Sequence, residues 1–196
     1  MNQTQIRQWF IDWGQACIDN KQYLSDLDNA IGDGDHGFNM AKAFVAYFET
    51  LEKKEISSVA DEFKTLAMTL LSKVGGTAGP IYASAFLTMS KALTDVTEVD
   101  DDLMVDLFKQ GLDSIQSRGK AQVGEKTLVD VWAPAIDQLR NKELSNESVD
   151  VLVEATAPLK ATKGRASYLG ERSIGHIDPG SMSSGYCFQA YLDNRD

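Results

Sequence analysis

Apolar residues recur every three or four positions along almost the whole chain, and strict two-residue alternation is nearly absent. Ile6, Phe10, Trp13 and Cys17 form one series, Ala41, Phe44, Phe48 and Leu51 the next, and Phe63, Leu66, Ala67, Leu70 and Val74 a third. The pattern returns at Leu103, Leu107, Phe108, Leu112 and Ile115, and again at Leu128, Val131, Trp132, Ala135, Ile136 and Leu139. Such spacing puts the apolar side chains on one face of an α-helix. The long β-branched runs of a parallel sheet are missing. The chain is therefore expected to be all-α, a domain of about eight helices packed antiparallel and joined by short loops. At 196 residues and 43% hydrophobic content it can bury a full core. No repeat, low-complexity tract or linker divides it, so one domain over 1–196 is expected.

Local signals place the helix ends. Thr4 is expected to cap the first helix, with Leu24 and Leu27 continuing it. Ser58 with Asp61, and Thr127 with Asp130, have capping-box spacing. Pro80 suits a first helical turn, and the run Asp100-Asp101-Asp102 favours a helix N-terminus and solvated charge rather than a second metal site. Pro134 is expected to kink or limit its helix. A further helix is expected from about Ser145 through Leu159, then a long loop from Lys163 to Ser184, then a last apolar segment from Tyr186 to Leu192.

One stretch breaks the helical rhythm with charge. Asp28, Asp33 and Asp35 fall within eight positions, interleaved with Gly32, Gly34 and Gly37. Like charges this close repel, and a divalent cation relieves that repulsion. Mg²⁺ takes oxygen ligands and usually keeps positions for water and substrate phosphates. Glycine lets the backbone turn the carboxylates toward one point. The alternative is an acidic turn that only caps helices. The match to G-x-G-x-x-G is not a dinucleotide fingerprint, because the preceding segment reads as helix and the aspartates repel phosphate. The EF-hand pattern fails, since Phe38 and Phe44 stand where Gly and Glu are required.

Three further loops carry more glycine and polar residues than a turn needs. Gly75 to Pro80 can expose N–H groups to an anion ahead of a helix, or be a tight turn. Arg118 to Thr127, with Gly119, Lys120, Gly124 and Lys126 beside Leu128, can offer a purine an apolar wall, or be a solvated basic connector. Lys163 to Gly180 is long enough to be functional. Its Arg165 and Arg172 are natural phosphate partners, or form surface ion pairs with Glu171 or another acid. His36 and His176 are the only histidines, and each can be a base, a ligand or a packing residue. Zinc is unsupported without a Cys/His cluster, and no nucleophilic triad or elbow appears.

The net charge of −10 makes nucleic acid and anionic membranes poor partners. Cys17 and Cys187 are expected to be buried free thiols. The first residues hold no apolar signal core and no run reaches membrane-spanning length, so the cytoplasm is expected.

Four blocks carry a family resemblance: Asp28 to Asn39, Gly75-Gly76-Thr77-Ala78-Gly79-Pro80, Ser117-Arg118-Gly119-Lys120-Ala121, and Lys163 to Ser173 with Asp178-Pro179-Gly180. In this order the chain resembles the nucleotide-binding L subunit of dihydroxyacetone kinase over essentially its whole length. Fusion kinases and the N-terminal domain of fatty acid kinases are similar in the same region. The chain has no room for a dihydroxyacetone-binding domain, so it resembles the stand-alone subunit. The resemblance implies an eight-helix antiparallel barrel holding a nucleotide at one end. It implies that Asp28, Asp33 and Asp35 hold two Mg²⁺ ions bridging to the phosphates, and that these aspartates and Arg165 are the catalytic groups. It implies that His36, Gly37, Phe38, Asn39, Thr77, Ala78, Gly119, Leu128, Arg165, Asp178, Pro179 and Gly180 line the nucleotide, with Leu128 where relatives also carry Met.

The activity implied is a relay within glycerol metabolism. ADP stays bound as a coenzyme and is rephosphorylated by a phosphohistidine of a phosphotransferase-system partner, the M subunit. The ATP so formed phosphorylates dihydroxyacetone on a separate K subunit. The competing readings are a kinase subunit using free ATP, a non-catalytic nucleotide-sensing or scaffold module, and a two-metal phosphatase.

Overall fold

The computed structural model describes residues 1–195. Among them are nine α-helices and one 3-10 helix, and no strand. The α-helices are α1 (Gln3–Asp19), α2 (Lys21–Ile31), α3 (His36–Lys53), α4 (Val59–Lys73), α5 (Ala78–Ala92), α6 (Asp101–Gly119), α7 (Val129–Arg140), α8 (Asn146–Glu154) and α9 (Pro179–Asn194). The 3-10 helix spans Arg165–Ser173.

Eight of the helices close a ring. α1 packs on α3, and α3 on α4; the order continues through α5, α6, α7 and α8 to α9, which packs back on α1. α2 pairs with α3 and also touches α9. The expected all-α barrel is present, and its closure is antiparallel. Trp9 Nε1 donates to Cys187 O at 2.8 Å and Trp13 Nε1 to Ser183 O at 2.9 Å, so α1 advances as α9 recedes.

The barrel is filled with aromatic rings. Trp9 lies within 6.3 Å of Phe10, Phe63, Phe86, Phe108 and Tyr191, centroid to centroid. Phe10 meets Phe63 edge-on at 5.0 Å. Each fully buried ring contributes about 1.5–3 kcal/mol relative to exposure. The three tryptophan N–H groups all donate to α9, the third from Trp132 to Ser184 Oγ. A buried indole N–H without an acceptor is costly, so α9 is built to accept. Cys17 and Cys187 are both buried and free. No helix among the described residues is long and apolar enough to cross a membrane.

Several boundaries differ from expectation. Asn2, not Thr4, caps α1, because Asn2 and Gln5 form a reciprocal capping box. The first helix does not run on to Leu27; it stops at Asn20, whose side chain bonds back to Ala16 O. Ser58 and Asp100 cap α4 and α6 as expected. Thr127 and Asp130 form a different turn. Asp130 Oδ2 accepts from Thr127 N–H at 2.8 Å, but Thr127 Oγ1 accepts from Val129 rather than Asp130. Pro134 sits inside α7 without ending it. α6 carries on through Gly119, so Arg118 and Gly119 are helical rather than part of a loop.

α8 ends at Glu154 instead of reaching Leu159. Pro158 removes a donor and disfavours helix at the residue before it. The expected Lys163–Ser184 loop is shorter, because α9 begins at Pro179. Asp178 caps it and Pro179 opens it, and Ser181, Ser183 and Ser184 are fully buried. Those serines are polar because core groups bond to them, not because they meet water.

Candidate functional site

Four connections gather at one end of the barrel: α2 to α3, α4 to α5, α6 to α7, and α8 to α9. They enclose a cavity of about 180 Å³. On one side of it, one oxygen from each of Asp28, Asp33 and Asp35 lies within 4.8 Å of the others. Asp28 is 9% exposed and comes from the last turns of α2. Its Oδ2 accepts the N–H groups of Asp35 at 2.9 Å and His36 at 3.1 Å, which folds the acidic loop back over it. A Cβ on Gly32 would stand 2.2 Å from Asp28 Oδ1, so a larger residue there would displace this carboxylate. Burial pushes the Asp28 carboxyl above its ordinary range. The Asp33 and Asp35 charges push the same way, and the two backbone donors oppose them. Three hard oxygen donors converging on one point suit a small divalent cation such as Mg²⁺.

Arg165 Nη1 lies 2.7 Å from Asp33 Oδ2, with the two side chains 62% and 36% exposed. A pair that open to solvent is weak and free to exchange partners. Glu171 pairs with Lys160 instead, and Arg172 does not line the cavity.

Asn39, Thr77 and Ala78 form the next part of the lining. α5 starts at Ala78, and the Thr77 side chain makes no capping bond. Its first N–H groups therefore have no helical acceptor and can meet an anion. The opposite wall is Leu128, Asp178, Pro179 and Gly180. Asp178 Oδ2 accepts from Ser181 N–H at 2.6 Å at the start of α9. Burial raises its carboxyl to about 6, with Asp130 adding to the rise and Ser181 and Lys126 opposing it.

His36 lines the cavity at its floor. Its Nε2 is 2.9 Å from Ser183 Oγ, and burial pushes the ring down to about 4, so it is neutral at pH 7. Tyr82 Oη is 2.8 Å from Ser183 Oγ, 2.7 Å from Ser184 Oγ and 3.0 Å from Gly180 O. This chain of hydroxyls joins α3, α5, α7 and α9 beneath the cavity. The His176 side chain is exposed and off the lining.

The remaining candidates lie just outside. Gly37 packs on α2, where a Cβ would stand 1.9 Å from Lys21 O. Phe38 is half-exposed on the outer face of α3. Gly119 ends α6 behind Ile81, which does line the cavity. Sequence reasoning passed over Tyr82 and Ser183, and read Lys126 as part of either a pocket wall or a solvated connector. Lys126 is 1% exposed and lines the cavity. A lysine between Glu125 and Thr127 carries no local signal of burial, because the groups that surround it are about 30 and 50 residues away in the chain.

The DAK2 domain model matches residues 30–193. The chain is 50% identical over 184 residues to the PEP-dependent dihydroxyacetone kinase 1, ADP-binding subunit DhaL, of Listeria innocua, covering 94% of this chain and 92% of that one. It is 38% identical to the corresponding ADP-binding subunit DhaL of Escherichia coli, covering 96% and 95%. Its fold is similar to the crystal structure of the dihydroxyacetone kinase of C. freundii, with a TM-score of 0.76 at 22% identity over 98% of this chain and 35% of that one. The same kinase in complex with AMP-PNP and Mg²⁺ matches at a TM-score of 0.72 and 22% identity, over 94% of this chain and 33% of that one. The chain thus spans about a third of that solved kinase but nearly the full length of the bacterial subunits. A closed helical barrel with an acidic triplet at one end, matched along most of its length, makes this chain a member of the DAK2 domain family.

Proposed function

We propose that this chain is the ADP-binding, phosphoryl-carrying subunit of a dihydroxyacetone kinase, acting in the cytoplasm as one nucleotide-binding unit. The observation that carries the reading is the convergence of Asp28, Asp33 and Asp35 oxygens within 4.8 Å at a cavity walled by helix N-termini. Relatives half and more than a third identical are named for ADP binding in such a kinase. A phosphoryl group would pass from a phosphohistidine of an M subunit, through the retained nucleotide, to dihydroxyacetone held on a K subunit.

Each wall has a task in this scheme. Asp28, Asp33 and Asp35 hold two Mg²⁺ ions, which when bound neutralise the phosphate oxygens and align them. The N-terminal N–H groups of α5, with Thr77 and Ala78, take the phosphates. Leu128 and Gly119 lie toward the base, and Asp178 to Gly180 close the far side. His36 to Asn39 shape the acidic loop and its helix. Arg165 leaves Asp33 for the transferring group, since phosphoryl transfer is mainly positioning and charge stabilisation. His36 is not a phosphate acceptor in this scheme, because it is buried, neutral and bonded to Ser183.

Native mass spectrometry of the purified protein is expected to find ADP or ATP with Mg²⁺. Asp33→Ala is expected to lose metal and nucleotide together, weakening ADP binding by about 10–100-fold in calorimetry. A labelled-phosphate chase from the phosphorylated M subunit to dihydroxyacetone phosphate tests the relay. Turnover with free ATP alone would instead mark an ATP-using kinase subunit, and binding without any transfer would mark a sensing module.

A further inference from the structure

We propose that Lys126 is a positioning residue for the nucleotide, an internal cation that assembles the Leu128 and Asp178–Gly180 wall. The nucleotide half of this inference rests on the function proposed above. The Lys126 ammonium donates to Thr156 O at 2.8 Å, Ala157 O at 3.1 Å and Leu159 O at 3.2 Å, and it also contacts His176 O. An ammonium has three N–H donors, so four acceptors leave it none for a ligand. A lysine that binds phosphate presents its charge to the anion; this one is enclosed by backbone although its residue lines the cavity.

The carbonyls need the cation as much as the cation needs them. Thr156 is fully buried, and buried carbonyl groups converging without a donor are strongly disfavoured. The acceptors come from two segments, the turn after α8 and the end of the stretch before α9. These already meet where Gly175 N–H donates to Ala157 O at 2.8 Å. Lys126 fastens both to the connector ahead of α7. Its neighbours are stitched to the same region: Thr162 N–H donates to Glu125 O at 3.3 Å, and Ser181 Oγ donates to Thr127 O at 2.9 Å.

Lys126 has a φ of 61°, in the left-handed region that favours glycine, a conformation that Lys120 and Lys142 share. Leu128 lies two residues beyond Lys126, and Asp178 two residues beyond His176. Both walls of the base side of the cavity therefore hang from one ammonium.

The test uses the full chain carrying Lys126→Met, followed by hydrogen exchange and by ADP titration with Mg²⁺. Exchange is expected to accelerate at 122–128 and 156–178 and to stay unchanged in α1, α3 and α4. ADP binding is expected to weaken at least about tenfold, as a wall ordered a tenth of the time would require. Acceleration spread evenly over the chain, or unchanged exchange and binding, would overturn the proposal. If this variant does not fold, Lys126→Gly suits the backbone angle, and n-butylammonium replaces the deleted side chain. Restored protection and ADP binding would then support the clamp, and no restoration would overturn it. A wild type that ignores ADP would defeat the function and the nucleotide half of this inference, while the exchange pattern would still decide the clamp.

Discussion

At the scale of single residues, the site works by placing charges where water alone would not stabilise them. Asp28 is buried against two backbone N–H groups, Asp178 is half-buried against Ser181, and Lys126 is buried against four carbonyls. Asp178 yields a pH prediction. Its carboxyl is raised to about 6 in the folded chain against an ordinary 3.8. The facing charges are Asp130, which raises it, and Lys126, which lowers it. The folded state binds this proton first, so stability falls as pH rises through 6 and recovers as pH drops toward 3.8. Asp178→Asn keeps an oxygen for the Ser181 cap and removes the titration. In urea unfolding without nucleotide, the wild type is expected to gain about 1 kcal/mol relative to the variant between pH 7 and pH 5. Parallel pH profiles would contradict the assignment.

At the scale of elements, the acidic loop is only as precise as the two helices it joins. α2 and α3 approach so closely that Gly37, in the first turn of α3, has no room for a Cβ beside Lys21 O. The obstacle is backbone and cannot rotate away. Gly37→Ala is expected to push α3 off α2 and destabilise the fold by about 1–3 kcal/mol, measured by urea denaturation. Because Asp33 and Asp35 hang between those helices, the same variant is expected to weaken ADP binding although Gly37 is outside the cavity lining. α9 shows the complementary device. Its buried serines accept Trp132 and meet Tyr82 and His36, so the helix that begins at the site is locked by hydrogen bonds rather than by apolar packing alone.

At the scale of the whole molecule, four connections from four parts of the chain converge on one cavity. A ligand that touches all of them binds the folded barrel and not the unfolded chain, so it should stabilise the whole. ADP with Mg²⁺ at a hundred times its dissociation constant is expected to add about 2.7 kcal/mol, a rise of about 5–11 °C in thermal midpoint. Removing divalent ions with EDTA is expected to abolish the shift, because the phosphates would then face three bare carboxylates. An undiminished shift in EDTA would separate nucleotide binding from the triplet.

The apolar period of the chain was enough to specify an all-α domain of packed helices, since a helix with one apolar stripe has to bury it against others. The interleaved aspartates and glycines likewise marked the acidic loop, because both the charges and the turn are local. What lay beyond the sequence was every feature whose partner is distant. Ser181 to Ser184 read as loop because hydroxyls usually meet water, and only the barrel supplies Trp132, Tyr82 and His36 to bond them. Lys126 read as part of a connector because its carbonyl acceptors lie about 30 to 50 residues further along. Local chemistry determined which segments are helical and where charge gathers; tertiary packing alone decided which polar groups leave water, because that depends on partners brought together only by closing the ring.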